Sequence, residues 1–273
     1  MSEGTICLVG AGNMGGAMLG GWLEAGRDPA SITVLDPNPP EPYAKLMAEH
    51  GVAWRASADD LDPPDLIIVA VKPQIMEHVL PGLRPILNDQ NALLSVAAGK
   101  TIKNLSAPFG GQGFEPRIIR AMPNTPAQVQ RGITVCVASD GVTSDQKEIV
   151  SLLLSAIGQV EWVEDEVLID AVTGVSGSGP AYVFHLAEAL SAAGEKAGLP
   201  ADLARKLAEA TVSGAGELMR QSDLPPGQLR ENVTSPNGTT AAALEVLMAE
   251  DGFPGLLERA VAASTKRSRE LAG

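Results

Sequence analysis

Short apolar runs alternate with helical patterns along the first part of the chain, and the alternation stops near residue 164. Strand-like runs cover 5–9, 31–35, 65–71, 92–96, 117–122, 132–138 and 159–163. The third, Asp65-Leu66-Ile67-Ile68-Val69-Ala70-Val71, is almost continuously apolar, as expected of a parallel strand buried on both faces. Helical spacing covers 42–50, 75–84 and 144–157. This order predicts an α/β, doubly wound sheet over residues 1–164. Residues 165–273 show no strand pattern and are dominated by Ala, Leu and Glu. Helices are predicted at 181–197, 201–220, 240–249 and about 254–271, punctuated by Gly198-Leu199-Pro200 and Leu224-Pro225-Pro226-Gly227. The cluster Gly174-Val175-Ser176-Gly177-Ser178-Gly179-Pro180 interrupts a longer helical pattern and predicts a kink or break. The expected organisation is two domains, 1–164 and 165–273. The second is all-helical, with a small-residue seam suited to dimerisation.

Chemistry enters at the first strand. Thr5-Ile6-Cys7-Leu8-Val9 leads into Gly10-Ala11-Gly12-Asn13-Met14-Gly15, and a helical pattern follows. Strand, G-x-G-x-x-G turn and helix start form the context a dinucleotide-binding fingerprint requires. The first glycine permits the tight turn. The second lets a pyrophosphate approach the backbone, and the third lets helix and strand pack closely. These features make the first domain a Rossmann-type sheet. The second strand ends at Asp36, where an acidic residue accepts the ribose hydroxyls of NAD and repels a 2′-phosphate. No Arg stands in the next few positions to receive such a phosphate. A turn or cap role for Asp36 before Pro37 is the competing reading. Three other strand ends, Val71-Lys72-Pro73, Ala97-Ala98-Gly99 and Met122-Pro123-Asn124, fall on the carboxyl edge, where open α/β sheets bind ligands.

Charge and composition remove several classes. Lys and Arg number 20 against 33 Asp and Glu, a formal charge of −13. That balance argues against nucleic acid. Cys7 and Cys136 sit in apolar runs and read as buried thiols in a reducing cytoplasm, not as a disulfide. His50, His78 and His185 lack metal-ligand spacing, so no metal is expected. No leader and no bilayer-length apolar stretch is expected, so neither is membrane association.

The stretch Glu231-Asn232-Val233-Thr234-Ser235-Pro236-Asn237-Gly238-Thr239-Thr240 precedes an apolar helical run beginning at Ala241. It reads as a polar loop at a helix N-terminus, with Thr239 or Thr240 able to serve as cap. Unpaired N–H groups at such an end attract a carboxylate. Neighbouring hydroxyls suit a small polar substrate. A capped loop without chemistry is the alternative.

Taken together, these segments resemble pyrroline-5-carboxylate reductase over essentially the whole chain. The resemblance is carried by Val9-Gly10-Ala11-Gly12-Asn13-Met14, Ala70-Val71-Lys72-Pro73, Ala97-Ala98-Gly99 and Arg120-Ala121-Met122-Pro123-Asn124-Thr125-Pro126. It continues through residues 170–182, Pro226-Gly227-Gln228-Leu229-Arg230 and the 231–240 loop. The resemblance implies NAD(P)H-dependent reduction of 1-pyrroline-5-carboxylate, the last step of proline biosynthesis. It also implies a Rossmann domain followed by a helical dimerisation domain, with assembly beyond the dimer to decamers in many members. Carried over by position, Thr240 hydrogen-bonds the imine nitrogen. Ser235 and the amides of Gly238, Thr239 and Thr240 hold the carboxylate. Asn232 lies near the nicotinamide ribose and Glu166 near the substrate amine. Val9 to Met14, Ala70, Val71, Lys72, Pro73, Ala97 and Ala98 line the cofactor. Family members commonly use NADP, whereas Asp36 leans to NAD.

Three rival readings stand beside it. A 3-hydroxyacid dehydrogenase shares the architecture and the spacing of Gly174, Gly177 and Gly179. Its catalytic Lys is absent, because position 183 is Val183. A deazaflavin-linked reductase shares the first domain but not the 235–240 loop. A non-catalytic NAD(P)H sensor needs the first site without the clustered hydroxyls.

Overall fold

A computed structural model describes residues 4–110 and 114–272. They fall into two compact units, Met1–Gly177 with Ser264–Gly273, and Ser178–Ala263.

The first unit is an eight-stranded sheet with helices on both faces. In chain order it carries β1 (Ile6–Val9), α1 (Asn13–Glu24), β2 (Ile32–Leu35), α2 (Glu41–His50), β3 (Ala53–Arg55), β4 (Leu66–Val69) and α3 (Met76–Val79). Then come β5 (Ala92–Ser95), α4 (Ile102–Ser106), β6 (Arg117–Met122), β7 (Gly132–Ala138), α5 (Ser144–Ser155), β8 (Gly158–Trp162) and α6 (Leu168–Val172). The strand order is β3-β2-β1-β4-β5-β6-β7-β8. The first six strands are parallel, with Ile6 opposite both Ile32 and Leu66.

The two-residue side-chain period divides the core. Ile6, Leu8, Ile32, Val34 and Ile68 face α1 and α5 with Trp22, Leu153 and Leu154, and the Trp22 indole N–H donates to the Leu153 carbonyl at 2.8 Å. Cys7, Val9, Ile67, Val69 and Leu93 face the opposite layer with Leu83, Leu105 and Phe109. The four β4 residues are all buried, which is why that strand reads as a continuous apolar run.

Several expectations change. Residues 73–86 are not one regular helix. A single α-turn, α3, is flanked by 3₁₀ segments Pro73–Ile75 and Leu80–Ile86, the latter with Pro85 inside it. Proline removes the backbone donors a continuous helix needs. β7 runs antiparallel to β6, because residues 123–131 are too few for a crossover. α5 then provides that crossover, and β8 is parallel to β7. β3 and α4 emerge without having been predicted. β3 has three residues, all exposed, and so no burial alternation. α4 is short and relies on its Thr101–Asn104 capping box. The interruption expected at the glycine cluster is present: α6 passes into a π-turn over Thr173–Gly177, a bend follows at Ser178, and a new helix starts at Gly179. The chain's last residues also belong to this unit, where Ser268 Oγ donates to Asp170 Oδ1 at 2.7 Å.

The second unit carries α7 (Gly179–Lys196), α8 (Ala201–Gln221), α9 (Pro226–Asn232), α10 (Thr239–Leu247) and most of α11 (Phe253–Ala272). No strand occurs among its described residues. α7 and α8 pair around the Gly198 turn. α9 was not predicted, because its prolines read as breakers. Pro226 instead occupies the first turn, where its missing donor costs nothing.

Candidate active site

The glycine turn after β1 has the geometry of a dinucleotide edge. Gly10 holds φ +95°, a left-handed conformation that disfavours a side chain. A Cβ on Gly15 would lie 2.0 Å from the Gly10 carbonyl oxygen, so only glycine lets α1 start this close to β1. A Cβ on Gly12 would meet nothing within 4 Å. Gly12 is the N-cap of α1 and no side chain caps it. No side chain therefore claims the first-turn N–H groups, which suits a pyrophosphate. Of the other residues expected here, Val9 and Ala11 are buried, Met14 is half-buried and Asn13 is exposed.

Asp36 sits half-buried just beyond β2. Its Oδ2 accepts the Ala11 N–H at 2.8 Å and its Oδ1 accepts the Asn38 N–H at 2.9 Å. The Trp54 indole donates to the Asp36 carbonyl at 2.6 Å. The carboxylate is thus fixed beside the glycine turn. A cavity of about 470 Å³ opens there, with walls that include Gly10, Asp36, Ser57, Ala58, Val71 and Leu83. That volume is within the usual range for a small-molecule pocket. The 56–59 wall follows β3, so sequence reasoning missed it along with that strand. Its one local signal was Gly51, which ends α2 in a left-handed cap.

Ala70 and Val71 are half-buried at the end of β4, with Lys72 exposed and Pro73 opening a 3₁₀ turn. Ala97 is buried and Ala98 exposed after β5. Glu166 belongs to this unit as well. Its Oε1 accepts the Arg120 Nη1–H and the Ile102 N–H, each at 2.8 Å. Neither contact was visible in the sequence, where the partners stand 46 and 64 positions apart.

The 231–240 loop lies in the second unit. The cap of α10 is Gly238, with φ −82° and ψ 175°, and not Thr239 or Thr240, which form the first turn. The physical reason is space. A Cβ at Gly238 would approach Ser235 Oγ to 2.6 Å, so the loop folds back tightly, with the Gly238 N–H on the Ser235 carbonyl at 3.1 Å. Asn237 takes φ 61°. No side chain caps α10. Among the described residues, no protein group engages the hydroxyls of Ser235, Thr239 or Thr240. The loop therefore presents a helix N-terminus and three free hydroxyls. Asn232 ends α9, where its Oδ1 accepts from Gln228 Nε2 at 3.1 Å.

No cluster of metal ligands occurs among the described residues. No described helix is long and apolar enough to cross a membrane. Cys7 and Cys136 are free and buried, and burial pushes each thiol up to about 12.

Residues 166–271 match the family model for pyrroline-5-carboxylate reductase dimerisation, and residues 5–99 match that for NADP oxidoreductase, coenzyme F420-dependent. The chain is 41% identical to a pyrroline-5-carboxylate reductase of Pseudomonas aeruginosa, over 100% of its own length and 98% of that protein. It is 35% identical to pyrroline-5-carboxylate reductase 2 of Rattus norvegicus, over 98% of its length and 83% of the relative. Among solved structures it is similar to a pyrroline-5-carboxylate reductase from Coxiella burnetii, with 33% identity, TM-score 0.90 and both chains covered in full. It is also similar to the Plasmodium falciparum pyrroline carboxylate reductase with NADP bound, with 29% identity, TM-score 0.81 and both chains covered in full. By these full-length likenesses the chain belongs to the pyrroline-5-carboxylate reductase family.

Proposed function

We propose that this protein reduces 1-pyrroline-5-carboxylate to L-proline at the expense of NAD(P)H. The observation that carries the reading is the 41% identity over the whole chain to a reductase of that name. The geometry agrees with it. One unit holds an uncapped glycine turn fit for a pyrophosphate, and the other an uncapped helix start with free hydroxyls. The absent catalytic Lys at Val183 disfavours the 3-hydroxyacid dehydrogenase reading, and the hydroxyl-rich loop disfavours a mere sensor.

Gly10, Gly12 and the first turn of α1 would hold the cofactor pyrophosphate, and the cavity beside Asp36 its adenosine half. When bound, the reduced nicotinamide supplies a hydride to C5 of the cyclic imine. The chain's own part is to bind, orient and polarise the substrate. Ser235 and the N–H groups of Gly238, Thr239 and Thr240 hold its carboxylate, assisted by the α10 dipole. The Thr240 hydroxyl holds the ring nitrogen, which must take up electron density as the C5–H bond forms: it donates to a neutral imine and accepts the N–H of a protonated one. A Thr hydroxyl is too weak an acid to ionise for this. It orients an imine that arrives protonated, or relays a proton from water. Holding the carboxylate fixes the ring, and such positioning is worth roughly 7–11 kcal/mol.

The pinned Asp36 carboxylate favours NADH, because a 2′-phosphate beside it would meet like charge. The neighbour with NADP bound favours the other cofactor. Asp36 is a residue of this chain, held beside the glycine turn, and it tips the preference to NADH. The helical unit self-associates as a dimer in this reading. Phe184, Leu203, Leu207, Leu218, Leu256 and Leu257 are exposed on α7, α8 and α11, an apolar surface that calls for a partner.

The test uses reduced cofactor carrying deuterium at both C4 positions of the nicotinamide and follows the label. Proline carrying one deuterium at C5 is the expected product. Unlabelled proline, or cofactor oxidation without proline, would overturn the reading.

A further inference from the structure

We propose that Arg120 is a positioning residue for the cofactor edge, acting through Glu166 on the turn that follows β5. The inference rests on the reading that Ala97 and Ala98 line the cofactor, and it adds how that turn is held.

Arg120 lies in β6, and its neighbours on the same face, Ile118 and Met122, belong to the apolar core. Arg120 is itself only 3% exposed. A guanidinium in such surroundings is strongly disfavoured unless paired. Its Nη1 donates to Glu166 Oε1 at 2.8 Å, and its Nη2 finds no hydrogen-bond partner. Among the described residues no second acid pairs with it. The charge balance of this buried cation therefore depends on one carboxylate.

That carboxylate has a second task. The same Oε1 accepts the N–H of Ile102, the first residue of α4, at 2.8 Å. Residues 96–101 form the whole connection from β5 to α4, and Ala97 and Ala98 lie within it. At the β5 end the turn is fixed by Val96 N–H on the Val69 carbonyl at 3.2 Å and by Ala97 N–H on Ser95 Oγ at 3.3 Å. At the α4 end it is fixed by the Thr101 capping box and by the Glu166 bracket. Between them Gly99 takes φ +69°, with Leu271 Cβ 3.2 Å from where its own Cβ would stand. Cutting the bracket removes one of the two restraints at the α4 end of a six-residue turn at the carboxyl edge of the sheet. It also strands the buried Arg120 charge. The stranded charge sits in the sheet core, so the thermal midpoint should fall along with cofactor affinity.

The resemblance instead placed Glu166 near the substrate amine, and the experiment separates the two roles. Arg120→Met, Arg120→Lys, Glu166→Ala and Glu166→Gln are compared with wild type in dissociation constants for NADH and NADPH, in KM and kcat for pyrroline-5-carboxylate, and in thermal midpoint. The expected result is cofactor binding about tenfold weaker in Arg120→Met and Glu166→Ala, the scale of one charge-assisted hydrogen bond. The conservative Lys and Gln variants should recover part of the loss, with KM for pyrroline-5-carboxylate within about twofold of wild type. Should Arg120→Met fail to fold, the two conservative variants carry the comparison. Cofactor binding within twofold of wild type in folded Glu166→Ala would overturn the proposal, as would conservative variants that bind no better than Glu166→Ala. So would a raised KM for the imine with cofactor binding unchanged, which makes Glu166 a substrate contact. Wild-type protein that binds neither cofactor would remove the underlying reading of the edge, a result distinct from both.

Discussion

Two glycines of one motif should fail in opposite ways when changed to alanine. At Gly15 the new methyl group would lie 2.0 Å from the Gly10 carbonyl oxygen and 3.3 Å from Ala70 Cβ. The nearer atom is backbone and cannot rotate aside, so α1 and β1 must separate by more than an ångström. Overpacking of this kind costs about 1–3 kcal/mol. At about 2–4 °C per kcal/mol for a chain of this size, the thermal midpoint should fall by about 2–12 °C. At Gly12 the backbone has φ −71° and ψ −165°, which alanine adopts freely, and no atom lies within 4 Å of the new Cβ. Restricting the unfolded chain contributes about 0.4–1 kcal/mol. The poorer N-cap offsets it by a similar amount. Gly12→Ala should therefore keep its midpoint within about 3 °C. Its methyl group nevertheless occupies the approach to the α1 N-terminus, and NAD(P)H should bind at least about tenfold more weakly. Thermal scans and cofactor fluorescence titrations on both variants read the two effects. Wild-type affinity in Gly12→Ala would refute the placement of the pyrophosphate. An unchanged midpoint in Gly15→Ala would refute the packing argument.

Thr240→Ala should lower kcat by roughly 10²–10³-fold, the scale of one lost donor to developing charge, with cofactor affinity unchanged; steady-state rates and a binding titration check this, and an unchanged kcat excludes the donor role. Asp36→Ser should raise the NADPH-to-NADH efficiency ratio by at least about tenfold, since it removes the charge facing a 2′-phosphate; a ratio that stays put would mean Asp36 only ties the glycine turn. Cys7 and Cys136 should resist thiol reagents in the folded protein, because burial lifts both to about 12. The folded value lies above an unfolded value near 8.5, so this stabilisation is complete below about pH 8.5 and is lost as pH rises towards about 12. The two thiols together contribute a slope of up to roughly 2.7 kcal/mol per pH unit in that window. Denaturant melts at stepped alkaline pH should show a flatter slope in the double alanine variant.

What the sequence revealed was local, and what it concealed was set by tertiary contact. β1, β4 and β5 were legible because strands buried on both faces need unbroken apolar runs, and the glycine motif announced its turn. β3 was not legible, since an edge strand of three exposed residues has no apolar face to display. The antiparallel turn to β7 depended on connection length, which the alternation of elements does not register. At the 231–240 loop the hydroxyls suggested a Thr cap, but the close approach to Ser235 demands Gly238 at that position. The Arg120–Glu166–Ile102 bracket joins three segments that carry no common pattern. Arg120 reads as a strand residue, Glu166 was placed through the resemblance alone, and Ile102 lies in a helix that the sequence did not announce; only the folded sheet brings them together.

The most direct test is the initial rate of NADH and of NADPH oxidation by purified protein at saturating pyrroline-5-carboxylate. The account predicts turnover with both cofactors absent any metal, L-proline formed one for one, and the higher efficiency with NADH. Tight binding of both cofactors without turnover on this imine would contradict it.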